Sequence, residues 1–584
     1  MQNNHPAPSR HPFSKPGISC LAFALCIVAG CSSQSDQPAQ RSSLHKATQQ
    51  KAIATAERPV ATSPASRQAQ ESTMLHERRI YTDTYDDALI SYNELPQLRA
   101  PSELSDRERY AHFDDNPVQR VTEQPLSTFS IDVDTGSYAN VRRMLLDGQL
   151  PPQDAVRVEE MLNYFSYEYP QPRSPAQPFS ITTRLATTPW NPNTHLLSVG
   201  LQGFAPTTSE RPASNLVFLI DVSGSMQDAS KLPLLKKSFR LLTNQLTEAD
   251  TIAMVVYAGG TGIVLEPTSG ENKATIMAAL DRLDAGGSTN GAAGIELAYS
   301  LAEQAYLEDG INRVILATDG DFNVGTTDFE QLIDKVEKRR RQGISLTTLG
   351  FGTGNYNDQL MEQLADKGNG NYAYIDNLQE ARKVLVEELN ATLHTIARDV
   401  KIQLEFNPGV VAEYRLIGYE NRQLRREDFN NDHVDAGEIG AGHTVTAMYE
   451  ISLTNGDRQY HEPLRYQQAA VHDAAPRDEL AFIRLRYKTS TSATSQLLEH
   501  AINQGEPDKA DAAMTDLRFA AAIAAFGQRL RGGTYLQGYS FSDIRKLARK
   551  NLGEDTGGYR AEFIRLVDLA ASLDQEYPDR LAKR

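Results

Sequence analysis

With 584 residues, the chain is long enough for about three or four domains, each burying its own core. A hydrophobic content of 40% is ordinary for soluble domains. The formal net charge of −16, with no long basic block, argues against nucleic acid or anionic lipid surfaces as partners.

Arg10 and Lys15 precede the apolar stretch Ile18 to Ala29, which has the length of a signal h-region and is too short to cross a bilayer comfortably. It runs into Val28-Ala29-Gly30-Cys31-Ser32. That run resembles the bacterial lipobox, in which small residues precede a cysteine that is acylated and becomes the mature amino terminus. The resemblance implies lipidation of Cys31 and loss of residues 1–30 as a signal peptide. Ser32 rather than Asp follows the cysteine, which implies the outer membrane, with the protein facing the periplasm. Of the 3 cysteines, Cys20 and Cys26 leave with the signal peptide. The mature chain then has no thiol for a disulfide, a thiolate metal site or a nucleophile.

Residues 31–100 are rich in Gln, Ser, Ala, Pro and Thr, without an aromatic before Tyr81, and read as a flexible tether. Such a coil spans on the order of 40–50 Å, enough reach for a lipidated protein to meet a partner away from its membrane. Residues 101–177 form a first folded piece. Ser127 to Asp134 alternates as a strand does, Ser137 to Leu145 reads as a helix, and Val156 to Phe165 places Val158, Met161, Leu162 and Phe165 on one helical face. Residues 178–213 are β-rich, with strand patterns over Phe179–Leu185 and His195–Leu201.

The next segment, residues 214–398, alternates strands and helices. Strands are predicted at Leu216–Val222, Thr251–Ala258, Val314–Thr318, Ser345–Phe351 and Tyr372–Ile375. Helices are predicted at Leu232–Leu246, Lys273–Leu283, Gly291–Leu307, Phe329–Gln342 and Leu360–Lys367. Continuous apolar strands in this alternation mean an α/β fold with a doubly wound, mostly parallel sheet covered on both faces. The first strand stops in Asp221-Val222-Ser223-Gly224-Ser225, which delivers one carboxylate and two hydroxyls into one loop. Grouped hard oxygen donors suit Mg²⁺, or another divalent cation such as Mn²⁺ or Ca²⁺, better than acid–base chemistry. Downstream, Gly286-Gly287-Ser288-Thr289-Asn290-Gly291 opens a helix, and the strand ending at Thr318 runs into Asp319-Gly320.

Together these pieces resemble the metal-ion-dependent adhesion site of the von Willebrand factor type A domain, whose pattern is D-x-S-x-S, then Thr, then Asp. The resemblance implies that Asp221, Ser223, Ser225, Thr289 and Asp319 are the metal ligands. It also implies a protein partner that offers an Asp or Glu carboxylate to the ion. Gln227, Asp228, Asn290 and Phe322 are the expected rim. Asp221 and Asp319 both end strands of one sheet, so they fall on the rim where such sheets bind ligands, and without metal they are expected to repel each other.

Residues 399–584 are β-rich and then helical, with strands predicted at Val400–Phe406, Val411–Ile417, His443–Leu453 and Leu480–Tyr487. Helical structure is predicted from Leu497 to Leu581, clearest at Met514–Leu530 and Phe541–Leu552. The ends of an inserted domain lie close together, so the strands on either side of residues 214–398 are expected to meet in one antiparallel sandwich. The order of parts resembles the YfbK-type bacterial lipoproteins, which carry a central von Willebrand factor type A domain between family-specific segments.

Enzymatic patterns are weak. Asp134-Thr135-Gly136 and Asp555-Thr556-Gly557 supply the triplets of an aspartic protease, but the second follows a charged helix end rather than a buried strand. No histidine pair has metalloprotease spacing, and no G-x-S-x-G elbow or phosphate loop is present. Gly350 to Gly354 reads as a sheet-edge loop. The expected function is that of a lipid-anchored, metal-dependent protein-binding module of the cell envelope, not an enzyme. The alternative is a structural or assembly lipoprotein whose metal serves the fold alone.

Overall fold

The computed structural model describes residues 108–206, 211–287, 291–320, 326–354, 356–456, 459–462, 478–489, 494–505 and 512–576. The signal peptide, Cys31 and the tether lie outside them, as do Thr289, Asn290 and Phe322. The first elements are β1 (Gln119–Arg120), β2 (Leu126–Ser130), α1 (Gly136–Leu146), α2 (Val158–Asn163), β3 (Phe179–Thr188) and β4 (Asn191–Gly203).

The central domain follows: β5 (Ser214–Asp221), α3 (Leu232–Gln245), β6 (Thr251–Tyr257), β7 (Thr261–Ser269), α4 (Lys273–Asp281), α5 (Gly291–Gln304), β8 (Ile311–Thr318) and α6 (Thr326–Arg341). It continues through β9 (Ile344–Phe351), α7 (Asp358–Lys367), β10 (Tyr372–Ile375), α8 (Leu378–Arg382), a π-helical turn Lys383–Glu387 and α9 (Leu389–Leu393). The strand order is β10-β9-β8-β5-β6-β7, parallel except for β7, which runs antiparallel to β6. Every residue of β5 is buried. Leu216, Phe218 and Ile220 face one core with Leu235, Phe239 and Leu242 of α3, while Val217 and Leu219 face the other with Ile295 and Ala298 of α5. A strand covered on both faces needs no polar alternation, which is why this run is apolar throughout. Strand order reverses between β5 and β8, so the rim at their carboxyl ends is the switch point where such sheets bind ligands.

After the domain come β11 (Thr395–Phe406), β12 (Val411–Ile417), β13 (Ile439–Gly440), β14 (Thr444–Leu453), β15 (Glu479–Thr489) and β16 (Gln496–Asn503), then α10 (Ala512–Leu530), α11 (Phe541–Lys550) and α12 (Tyr559–Glu576). One antiparallel sheet has the order β1-β12-β14-β4-β3. The other has β13-β11-β15-β16, with β2 also paired to β11. The two share a core that includes Phe129, Leu197, Leu201, Ile402, Leu404, Tyr449 and Leu485. Strands from before and after the central domain thus meet in a sandwich, as the inserted-domain pattern predicts. The helical reading from Leu497 is corrected: Gln496–Asn503 is an edge strand against β15, and the helices begin at Ala512.

Helices α1, α2 and α10–α12 make a further core around Tyr138, Tyr164, Phe165, Phe519 and Phe563. Buried arginines tie the parts together. Arg142 of α1, 1% exposed, donates from Nε to Asp376 at 2.7 Å and from Nη2 to Glu380 at 2.7 Å, and pairs with Glu562 of α12 at 3.2 Å. Arg157 binds Asp358 of α7 at 2.6 Å, and Arg422, beyond β12, meets Asp132 at 3.1 Å and Glu362 at 3.2 Å. Asp132, Glu160 and Glu362 converge in this region, but as partners of those two arginines.

Candidate metal centre

Asp221 is the last residue of β5, and the chain after it turns through the 3-10 helix Gly224–Gln227. Its carboxylate is fully buried and held from three sides. Oδ1 accepts the Ser223 backbone N–H at 2.8 Å; Oδ2 accepts the Thr318 hydroxyl at 2.8 Å and the Tyr257 hydroxyl at 3.2 Å. Burial pushes the Asp221 carboxyl up, and the charge of Asp319 adds to this, while the hydrogen bonds from Ser223 and Thr318 pull it back. Ser223 Oγ and Ser225 Oγ lie 3.0 Å apart; Ser223 is buried and Ser225 exposed.

Asp319 follows β8 directly and is 1% exposed. β5 pairs with β8, and the Thr318 hydroxyl reaches Asp221, so Asp319, the residue after Thr318, stands at the same rim as Asp221. The stretch before Thr289 also docks on this loop. Gly286 N–H donates to Val222 O at 2.8 Å, and Gly224 N–H donates to Gly287 O at 3.0 Å. Of the five ligands implied by the family pattern, four are described and lie around one loop cluster, and Thr289 lies outside the described residues. Buried carboxylate with neutral hydroxyl neighbours is a donor set that fits a hard divalent cation.

One feature of the cluster differs from the expectation that Asp221 and Asp319 face each other uncompensated. Lys231, 7% exposed and just ahead of α3, donates from Nζ to Asp319 Oδ2 at 2.8 Å. Its stem crosses Gly352, whose φ is +73°. A Cβ there would sit 2.3 Å from both Cγ and Cε of Lys231, so glycine leaves the groove the lysine occupies. The Gly350–Gly354 run is therefore no loop at the sheet edge; β9 lies between β8 and β10, and the loop after it forms part of the rim. Nothing in the local pattern of Lys231 says which carboxylate it meets, because Asp319 is brought to it by sheet order. Thr318 and Tyr257 were equally hidden, since each reads as an ordinary strand residue.

The aspartates of the two Asp-Thr-Gly triplets have separate roles. Asp134 accepts the Tyr372 backbone N–H at 2.8 Å and faces Arg422 at 3.6 Å. Asp555 accepts the N–H groups of Arg560 at 3.0 Å and Ala561 at 2.9 Å, at the start of α12.

The family model of the von Willebrand factor type A domain matches residues 215–388, and a model described as von Willebrand factor matches residues 104–198. The fold of residues 215–388 is that of a von Willebrand factor type A domain. A third model, described as "Uncharacterized protein YfbK, C-terminal", matches residues 391–573, and the YfbK protein of Escherichia coli (strain K12) is 51% identical over 471 residues, 79% of this chain and 81% of that protein. The chain belongs to the YfbK family. Inter-alpha-trypsin inhibitor heavy chain H3 of Homo sapiens is 24% identical over 280 residues, 44% of this chain and 31% of that protein. Among solved structures, the von Willebrand factor type A protein from Catenulispora acidiphila aligns with a TM-score of 0.37 and 16% identity, covering 66% of this chain and 88% of that one.

Proposed function

We propose that the protein is a lipid-anchored, divalent-metal-dependent protein-binding module of the bacterial cell envelope. The observation that carries the reading is the meeting of Asp221 and Asp319 at adjoining strand ends with the Ser223 and Ser225 hydroxyls beside them. Asp221, Ser223, Ser225 and Asp319 would hold Mg²⁺, or Mn²⁺ or Ca²⁺, with Thr289 as the fifth ligand that the family pattern implies. When bound, the ion would supply a positive charge that a partner's Asp or Glu carboxylate can approach. Ser225 is the exposed one among the four described residues, so a partner approaches from its side, past the exposed Gln227 and Asp228. The role is binding rather than catalysis. The lipobox-like run at Cys31 supports attachment to the outer membrane, facing the periplasm.

The test is capture from an envelope extract by the immobilised protein with Mg²⁺, with EDTA, and as Asp221→Ala. Capture lost with EDTA and in the variant, while far-UV circular dichroism is unchanged, supports the proposal. The Lys231–Asp319 pair favours a second reading, a scaffold lipoprotein whose site serves the fold alone, because it compensates one carboxylate already. Capture that persists in both EDTA and Asp221→Ala selects that reading.

A further inference from the structure

The ammonium of Lys231 occupies the position of a counter-ion at one of the two carboxylates of the metal centre. Nζ lies 2.8 Å from Asp319 Oδ2, with the side chain of Lys231 9% exposed and that of Asp319 fully buried. This is a built arrangement rather than a surface ion pair. The groove for the lysine stem depends on Gly352 lacking a Cβ, and the Gly352 carbonyl accepts the buried Tyr374 hydroxyl.

The loop beyond is held from outside the central domain. Gly354 N–H donates to Glu108 at 3.1 Å, and Arg109 N–H donates to Tyr356 O at 2.9 Å. Asp319 in turn cannot drift from the loop, because the next residue, Gly320, approaches so closely that a Cβ on it would lie 2.5 Å from the Asn357 nitrogen. Lysine and carboxylate are thus each seated by backbone.

We propose that Lys231 is a tethered cation that competes with the divalent ion for Asp319, weakening metal affinity and holding the rim together when the metal is absent. This rests on the metal reading of the site. An ammonium and a divalent ion at one carboxylate repel each other, so loading requires Nζ to withdraw from Asp319 or to remain at an electrostatic cost. Withdrawal is resisted by the seat at Gly352. The consequence is a site that stays folded when empty and fills only where free divalent ion is plentiful.

The experiment is titration of the full chain with Mn²⁺, reading free ion by its electron paramagnetic resonance signal, for wild type, Lys231→Gln and Lys231→Met. Glutamine keeps a hydrogen-bond donor and removes the charge; methionine keeps the stem. Affinity at least tenfold tighter in Lys231→Gln, with a melting temperature in EDTA below that of wild type, supports the proposal. Binding by Lys231→Gln where wild type binds none also supports it, as does a Lys231→Met variant that folds only with Mn²⁺. Unchanged or weaker affinity in both variants overturns the role of Lys231 and leaves the metal reading standing. No binding by any of the three overturns both. The double variant Asp221→Ala, Lys231→Gln must lose the gain; tight binding that survives in it places the ion elsewhere and overturns the proposal.

Discussion

The hydroxyl of Thr318 donates to Asp221 Oδ2 at 2.8 Å, joining the ends of β8 and β5 where strand order reverses. The same hydroxyl oxygen accepts the Gly320 N–H at 3.2 Å. Asp319 is therefore bracketed by two residues that are tied, through one hydroxyl, to the other carboxylate of the site. Strand adjacency by itself holds this oxygen cluster together.

Thr318→Val removes a buried donor to a carboxylate and should cost about 1.5–3 kcal/mol. The change leaves Asp221 held by the Ser223 N–H and the Tyr257 hydroxyl alone. Chemical denaturation should show the loss of stability, and Mg²⁺ affinity should fall with it.

Addition of Mg²⁺ should raise the melting temperature of wild type, by mass action worth about 2.7 kcal/mol at a hundredfold excess over the dissociation constant. Asp221→Ala should show no such rise. Because Lys231 already neutralises Asp319, wild type in EDTA should keep its native circular dichroism.

Burial pushes the His443 imidazole down to about 3, and the charge of Lys383 pushes the same way. A histidine depressed in the folded state is protonated more readily when unfolded. Its contribution is therefore intact above about pH 6.5 and is lost as pH falls from there toward 3, at up to about 1.4 kcal/mol per pH unit. Denaturation midpoints of His443→Leu should fall less steeply than those of wild type over this range.

Arg142 is the one cation in contact with Asp376, Glu380 and Glu562 across three parts of the chain in the contacts described above. Arg142→Met leaves buried carboxylates without it and should cost about 3–5 kcal/mol. Unfolding followed by tyrosine fluorescence and by circular dichroism should then cease to coincide, as the helical core loosens from the central domain.

Mass spectrometry of the mature protein should find an acyl group on Cys31, and Cys31→Ala should release the protein from membranes. A mature chain without acylation at that residue removes the anchor from the proposal.

Much of the central domain was legible because burial on both faces imposes continuous apolar runs, and Tyr372–Ile375 has the same bounds in sequence and structure. Asp221, Ser223 and Ser225 were legible for a different reason: they share one short loop, so spacing alone places their oxygens together. The strands that escaped are edges. Thr261–Ser269 and Gln496–Asn503 are largely exposed or half-buried, each giving a core only one buried residue, Leu265 and Ile502, too few to show an apolar period. Local sequence thus determined which residues form buried strands and which loop carries grouped oxygens. Tertiary structure decided that β5 lies beside β8, and with it that Thr318 meets Asp221 and that Lys231 meets Asp319, 88 positions away. Hydrophobic period and spacing act within one element, whereas the pairing of buried charges depends on which elements adjoin, and no local pattern encodes that.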